Sequence, residues 1–316
     1  MSSFAKIFSK SCLLLTLTVS ASFASCSKDE APDEDWCVVD DYKADVKLNV
    51  SVDKTMFSHA DIVVENPETR AGLMQLRYNA WILKEDDDTP IAHASSLYSN
   101  FSFSLPLGKY RALAWVDYVP DGIQKDYYFF TDDLSEMLLM DKAGYSGNDN
   151  NKMAFCNETH FTVSYRTPEV FVTAVPQMAQ YRIIANDSPS FDVGYVRVSY
   201  PENVPAALNA LTREVSYSWS SISYQHSYDG NFVTTDNVFA NDDEHKVTVK
   251  VEVFDRDGRL RARRLNVSIP VRKGGITLAR ANIFSILEED PNDPKEPSGG
   301  GVGIDPDFDD TFEIII

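Results

Sequence analysis

The chain has 316 residues, 43% of them hydrophobic and 12% aromatic, and a formal net charge of −19. That supply of apolar side chains excludes global disorder, and the length suits about two domains of roughly 100–200 residues each. The negative charge excludes nucleic acid and electrostatic adhesion to anionic lipid, both of which need clustered Lys and Arg, and the four cysteines are too few for a disulfide-built scaffold.

Residues 1–25 read as a signal peptide. Lys6 and Lys10 form its basic region, Cys12 to Val19 its short apolar core, and small residues lead to Phe23-Ala24-Ser25-Cys26. The apolar core is too short to span a bilayer. A plain secretory peptide would be cut near Ser25. The sharper reading is a lipoprotein signal, with Cys26 as the first mature residue and the carrier of lipid. Phe23 stands where such signals usually have Leu. Residues 26–41 form an acidic tether. Its opening, Ser27-Lys28-Asp29-Glu30, resembles the surface-export signal of Bacteroidota lipoproteins, which implies the outer leaflet facing outward.

Two further mature cysteines, Cys37 and Cys156, are left to pair as a disulfide in an oxidising setting or to remain separate thiols. Neither has a C-x-x-C partner or a neighbouring His, so no metal site is expected there.

From Tyr42 the pattern is period-2 alternation, the mark of half-buried strands. Ala44 to Val52 alternates over its whole length. Met74 to Leu83 follows, then an acidic turn at Glu85 to Asp88, then Phe101 to Leu105 and the Trp115-bearing run Tyr110 to Val119. Asp132 to Met140 fits a short helix or a loop. Strand-like runs continue at His160 to Tyr165, Glu169 to Val175, Gln180 to Asn186 and Tyr195 to Tyr200; Val204 to Leu211 is again helix or loop. Lys246 to Phe254 is the cleanest alternation in the chain. It ends at Asp255-Arg256-Asp257-Gly258, whose Asp-Gly suits a tight hairpin back through Leu260 to Ile269.

Many short strands with turn chemistry and few helices predict an all-β chain of β-sandwiches. The natural cut falls near Arg166-Thr167-Pro168, giving an N-terminal domain over 42–166 and a C-terminal domain over 167–289. Residues 290–316 hold a linker rich in Pro, Gly and Asp and a last strand, Thr311 to Ile316, with Phe312, Ile314 and Ile316 on one face. A hydrophobic strand on a leash needs a sheet edge, in its own chain or another.

Catalytic signatures are missing. The chain has no G-x-S-x-G, H-E-x-x-H, P-loop or G-x-G-x-x-G. His59, His93, His160, His226 and His245 lack ligand spacing. Asp305 to Asp310 begins like a calcium loop, yet Asp310 stands where the sharp turn needs Gly and Ile316 where Glu would close the site. No metal, cofactor or enzymatic activity is therefore expected. Carboxylate pairs are abundant, but sequence cannot place two of them about 5 or 9 Å apart, as a glycosidase needs. The aromatics Tyr98, Tyr127, Tyr128, Phe129, Phe130, Tyr217, Trp219, Tyr224 and Tyr228 suit strand cores better than a carbohydrate platform.

Several segments, in order, resemble one family. They are the lipidated Cys26 with its acidic tether; Trp36-Cys37 ahead of the first strand; Gly108 to Tyr118, a tight turn into a Trp strand; Val196 to Pro201 and Pro205 to Thr212; Asp236 to Ala240; and the Val247 to Ile269 hairpin with Pro270-Val271-Arg272 and Asn282. The chain resembles the fimbrillin-associated minor fimbrial subunits, the anchor-type lipoproteins of Bacteroidales type V pili. The resemblance implies two tandem transthyretin-like β-sandwich domains, other fimbrial subunits as partners, and assembly by strand addition. In stalk subunits of that superfamily a protease cuts after an Arg and removes the first strand. Arg70 sits at a corresponding place, beyond the first strand and after Pro67. An anchor would keep its N-terminus, so cleavage is not expected. The expectation is a non-catalytic surface lipoprotein that anchors or extends a fimbria in cell adhesion. The alternative is a glycan-binding lipoprotein of a polysaccharide-uptake system, which would need an exposed platform of Trp or Tyr.

Overall fold

The computed structural model describes residues 42–54, 74–140, 145, 147–166, 169–217, 222–291 and 311–315. The signal peptide, Cys26, Cys37, Arg70, Trp219 and Ile316 lie outside the described residues, as do the acidic run 305–310 and the linker ahead of 311. Every regular element among the described residues is a strand, so the chain is all-β as its alternation predicts. In chain order they are β1 (Lys43–Val52), β2 (Met74–Lys84), β3 (Pro90–Ser96), β4 (Asn100–Pro106), β5 (Gly108–Pro120), β6 (Phe129–Phe130), β7 (Met137–Leu139), β8 (Ala154–Val163), β9 (Glu169–Pro176) and β10 (Met178–Ala185). Then come β11 (Val193–Tyr200), β12 (Pro205–Leu208), β13 (Val215–Tyr217), β14 (Ile222–Ser227), β15 (Val233–Phe239), β16 (His245–Asp255), β17 (Leu260–Val271), β18 (Ile276–Ala281) and β19 (Thr311–Ile315).

The first seven-stranded sheet runs β3-β2-β5-β8-β9-β1-β4. β8 and β9 touch over only two residue pairs, Phe155 with Pro176 and Cys156 with Val175. The sheet folds about this short seam, and β9-β1-β4 and β2-β5-β8 enclose one core. Val46 and Leu48 from β1, Phe101 and Phe103 from β4, and Ala112 and Val116 from β5 meet there. Alternation explains why these and not their neighbours are inside: successive side chains of a strand point to opposite faces.

The later part of β2, the middle of β5 and the start of β8 are buried on both faces. Trp81, Leu113, Trp115 and Cys156 point away from the first core and join a second, larger one built with β10 to β18. The indole of Trp115 lies 5.5 Å from Phe129 and 6.3 Å from Phe239 of β15. This double burial gives β5 its unbroken apolar run, where a one-sided strand would alternate.

The second half forms two four-stranded sheets, β15-β10-β18-β19 and β14-β11-β16-β17. A small sheet, β13-β12-β7-β6, packs Met137, Leu139 and Leu208 into the same core. The chain passes from the first sheet to the second half at Gln177, between β9 and β10. Its amide Nε2 donates to the carbonyls of Cys156 and Val175, both at 2.9 Å. The crossing thus lies beyond the 166–168 connection, and β9 belongs to the first sheet.

Two segments that fit helix or loop in sequence differ. Within 132–140 the chain turns, with Asp133 Oδ1 accepting the Ser135 N–H at 2.8 Å, and then enters β7. Pro205 to Leu208 is a strand buried at every position, which erases the alternation that would have announced it.

Candidate functional site: two completed sheet edges

The first site is the slot filled by β1. That strand lies between β4, antiparallel, and β9, parallel. Leu48 stands opposite Phe101 on one side and Val170 on the other, and Val50 opposite Val172. Ala44, Val46, Leu48 and Val50 are all buried. Burying a Val or Leu side chain is worth about 1.5–3 kcal/mol, so β1 is a major part of this core. Its outer face is polar: Asn49 Nδ2 donates to Glu169 Oε1 at 3.2 Å, and the hydroxyls of Ser51 and Thr173 meet at 2.9 Å. Without β1, the inner edges of β4 and β9 would hold unpaired N–H and C=O groups above an apolar groove.

The second site is the edge of β18. β19 pairs with it antiparallel, Phe312 opposite Ala279 and Ile314 opposite Thr277. β18 itself is buried on both faces, apart from Arg280. The chain between them is strapped down first. The Asp187 carboxylate accepts the backbone N–H groups of Ile283, Phe284 and Ser285 at 2.8, 3.0 and 2.8 Å. Glu288 then accepts the Leu265 N–H at 2.6 Å and pairs with Arg264 at 3.2 Å. These contacts tie residues 283–288 to the second half, the latter part along β17, ahead of the segment leading to β19.

Residues 39–315 match a family described as a family of unknown function, DUF6562. The chain belongs to DUF6562. No curated protein matches it. Among solved structures it resembles a candidate adhesin from Bacteroides ovatus, with 14% identity over 71% of this chain and 76% of that one, at a TM-score of 0.43. It also resembles the fimbrial anchor protein Mfa2 from Porphyromonas gingivalis, with 11% identity over 75% and 90% of the two chains and a TM-score of 0.43. The tip fimbrial protein Mfa3 of the same organism aligns with 11% identity over 75% and 94%, at a TM-score of 0.41. Fimbrial anchor and tip proteins are thus among the structures that resemble this DUF6562 chain.

Other sequence-singled residues of this DUF6562 member are scattered. Cys156 is a buried free thiol. Arg213 Nη1 approaches its sulfur to 2.7 Å, and burial pushes the thiol up to about 11, against the pull of that guanidinium. Such a thiol is a poor nucleophile. His93 stacks on Trp81 at 4.6 Å, and His160 Nδ1 meets Glu85 at 3.0 Å on the surface. No group of three metal-ligating side chains occurs among the described residues. Of the aromatics considered for a carbohydrate platform, Phe129 and Tyr224 are in the core, and Tyr98, Tyr127, Phe130 and Tyr217 are exposed. Trp81 and Trp115 are buried.

Two buried polar clusters escaped the sequence reading. Arg77 on β2 faces Asp117 on β5 across the ladder, with Nε to Oδ1 at 2.9 Å and Nη2 to Oδ2 at 2.6 Å. Trp115 Nε1 donates to the same carboxylate at 3.2 Å, and Arg77 also pairs with Asp126 at 2.5 Å. On β15, Asp236 is fully buried and accepts from Tyr145 at 2.7 Å and Tyr200 at 2.5 Å, and it pairs with Lys152. Burial, and then the nearby Asp236 charge, push the Tyr200 and Tyr145 hydroxyls well above their ordinary range, so they stay donors. The partners lie 40 and 84 residues apart in sequence, which no local spacing announces. Both clusters carry filled hydrogen-bond sets, so they act as structural bolts: the first within β2-β5, the second pinning the β7–β8 connection to the second half.

Proposed function

We propose that this DUF6562 protein is a non-catalytic, lipid-anchored surface subunit of a fimbria that assembles by exchange of β-strands. Lipid on Cys26 holds it on the outer membrane facing outward, and its partners are other fimbrial subunits. The two sandwich-like halves are its tandem domains, and no cofactor takes part.

The observation that carries this reading is β19. A five-residue strand completes the edge of β18 from beyond a stretch rich in Pro and Gly. A ladder edge is satisfied equally by a strand of its own chain or by one from a second chain, so Phe312, Ile314 and Ile316 are the candidate donor residues. The placement of β1 supports the same reading. It is the first strand, it fills a slot between β4 and β9, and Arg70 follows it before β2 begins. A cut at Arg70 would free β1 to leave, whereas an anchor retains it. The anchor role is favoured, with Arg70 uncut.

Mass spectrometry of the native N-terminus, taken from outer membranes and from sheared filaments, tests this. The expected species begins at Cys26, carries lipid and stays with the membrane. A chain beginning at Ala71 in the filament fraction overturns the anchor role and makes the protein a polymerising subunit.

A further inference from the structure

The outer face of β14-β11-β16-β17 carries a polar cleft that the strand-exchange reading does not use. Period-2 alternation and strand register build it. Ser223, Ser199 and Lys250 stand opposite one another in one row across β14, β11 and β16. Arg197, Glu252 and Arg263 form the next row, across β11, β16 and β17. The cleft between these rows and the Asp290-Pro291 rim has a volume of about 530 Å³, within the range of small-ligand sites.

Its lining sets cations against carboxylates. Glu252 is nearly buried, and its near partner is the buried Arg263, whose Nε donates at 3.2 Å. That pair neutralises the carboxylate. Arg197 and Lys250 reach Glu252 only at 3.7 and 3.4 Å, and Lys250 reaches Asp290 at 3.6 Å. Both cations stay partly exposed, at 39% and 24%. The guanidinium of Arg197 lies 4.7 Å from the centre of the Phe254 ring, which itself stacks on Tyr195 at 4.6 Å. Arg197 is thus held in place by stacking while most of its donors remain unspent. Among the described residues lining the cleft, two cations, Arg197 and Lys250, face two carboxylates, Glu252 and Asp290.

The geometry points to this cleft as a binding site for an acidic saccharide unit, a sugar that carries a carboxylate. Arg197 and Lys250 receive the carboxylate, since charge-assisted bonds from a planar guanidinium favour that group. The hydroxyls of Ser199 and Ser223 and the amide of Asn266 line the same cleft. Each can donate and accept, as ring hydroxyls do. A simple organic acid would leave those groups unused, and a neutral sugar would leave the Arg197 guanidinium unused. This inference does not depend on the fimbrial role.

The test uses the mature full-length protein and ligand-observed NMR titration with a glucuronate-containing tetrasaccharide and its carboxyl-reduced counterpart. The acidic form is expected to bind in the millimolar range or tighter, and the reduced form roughly tenfold more weakly, the worth of a charged hydrogen bond. Arg197→Gln is expected to abolish that preference with an unchanged melting temperature. If that variant misfolds, Lys250→Gln serves the same purpose. No binding of the acidic tetrasaccharide at millimolar concentration overturns the proposal. So does equal binding of the two forms, or a preference that survives in the folded variant.

Discussion

The Arg77–Asp117 pair sits where burial would otherwise be prohibitive, with the two side chains 2% and 0% exposed. Its bidentate geometry, the Trp115 N–H and the second carboxylate at Asp126 together satisfy the guanidinium and the buried carboxylate. Removing one partner leaves the other charge buried and alone. Asp117→Ala is therefore expected to cost about 3–5 kcal/mol, read as a lower urea midpoint with an unchanged denaturant slope. Asp255 acts in a turn, where its carboxylate is mostly covered. Its Oδ1 accepts the N–H of Arg259 at 2.9 Å and of Asp257 at 3.0 Å, and its Oδ2 pairs with Arg261 at 3.3 Å. The Arg259 N–H above all, with Arg261 and Asp257 helping, holds this carboxyl below its usual range despite partial burial. The stability it contributes is full above the ordinary carboxylate pKa and is lost as pH falls through the lowered folded value. Below about pH 4, Asp255→Asn should lose melting temperature less steeply than the wild type. Parallel curves for the two proteins would refute this role.

At the scale of elements, a strand shows itself in sequence when one face is wet. β1 and β4 alternate without a fault because their outer faces are solvated. β16 and β17 were legible with their turn, whose Gly258 takes a φ of 77° that only glycine adopts freely. β7 and β12 were not, because three residues are too few to show a period and β12 is buried at every position. β3 was missed for the opposite reason: it is an exposed edge strand with weak apolar content. β19 was legible as a strand, though its partner was not. Deleting residues 311–316 exposes the β18 edge. The expected outcome is a melting temperature lower by about 2–4 °C for each kcal/mol lost, together with weakened fimbrial assembly. A deletion that melts and assembles like the wild type removes β19 from the proposed mechanism.

For the whole molecule, the amino-acid sequence alone determined the class and most of the strands. Both rest on local physics: the alternation of side chains along a strand and the φ demanded by a turn glycine. The address proposed for residues 1–30 is likewise a linear signal, which a sequence can carry without a fold. Tertiary structure alone decided how the strands assemble. That β1 lies between β4 and β9, that the chain crosses over at Gln177, and that the middle of β5 is buried on both faces follow from contacts between residues far apart in sequence. So do the Arg77–Asp117 and Lys152–Asp236 pairs and the Arg197–Lys250 cleft. Pairing energy depends on distance in space, and a chain brings such groups together only once its cores have formed.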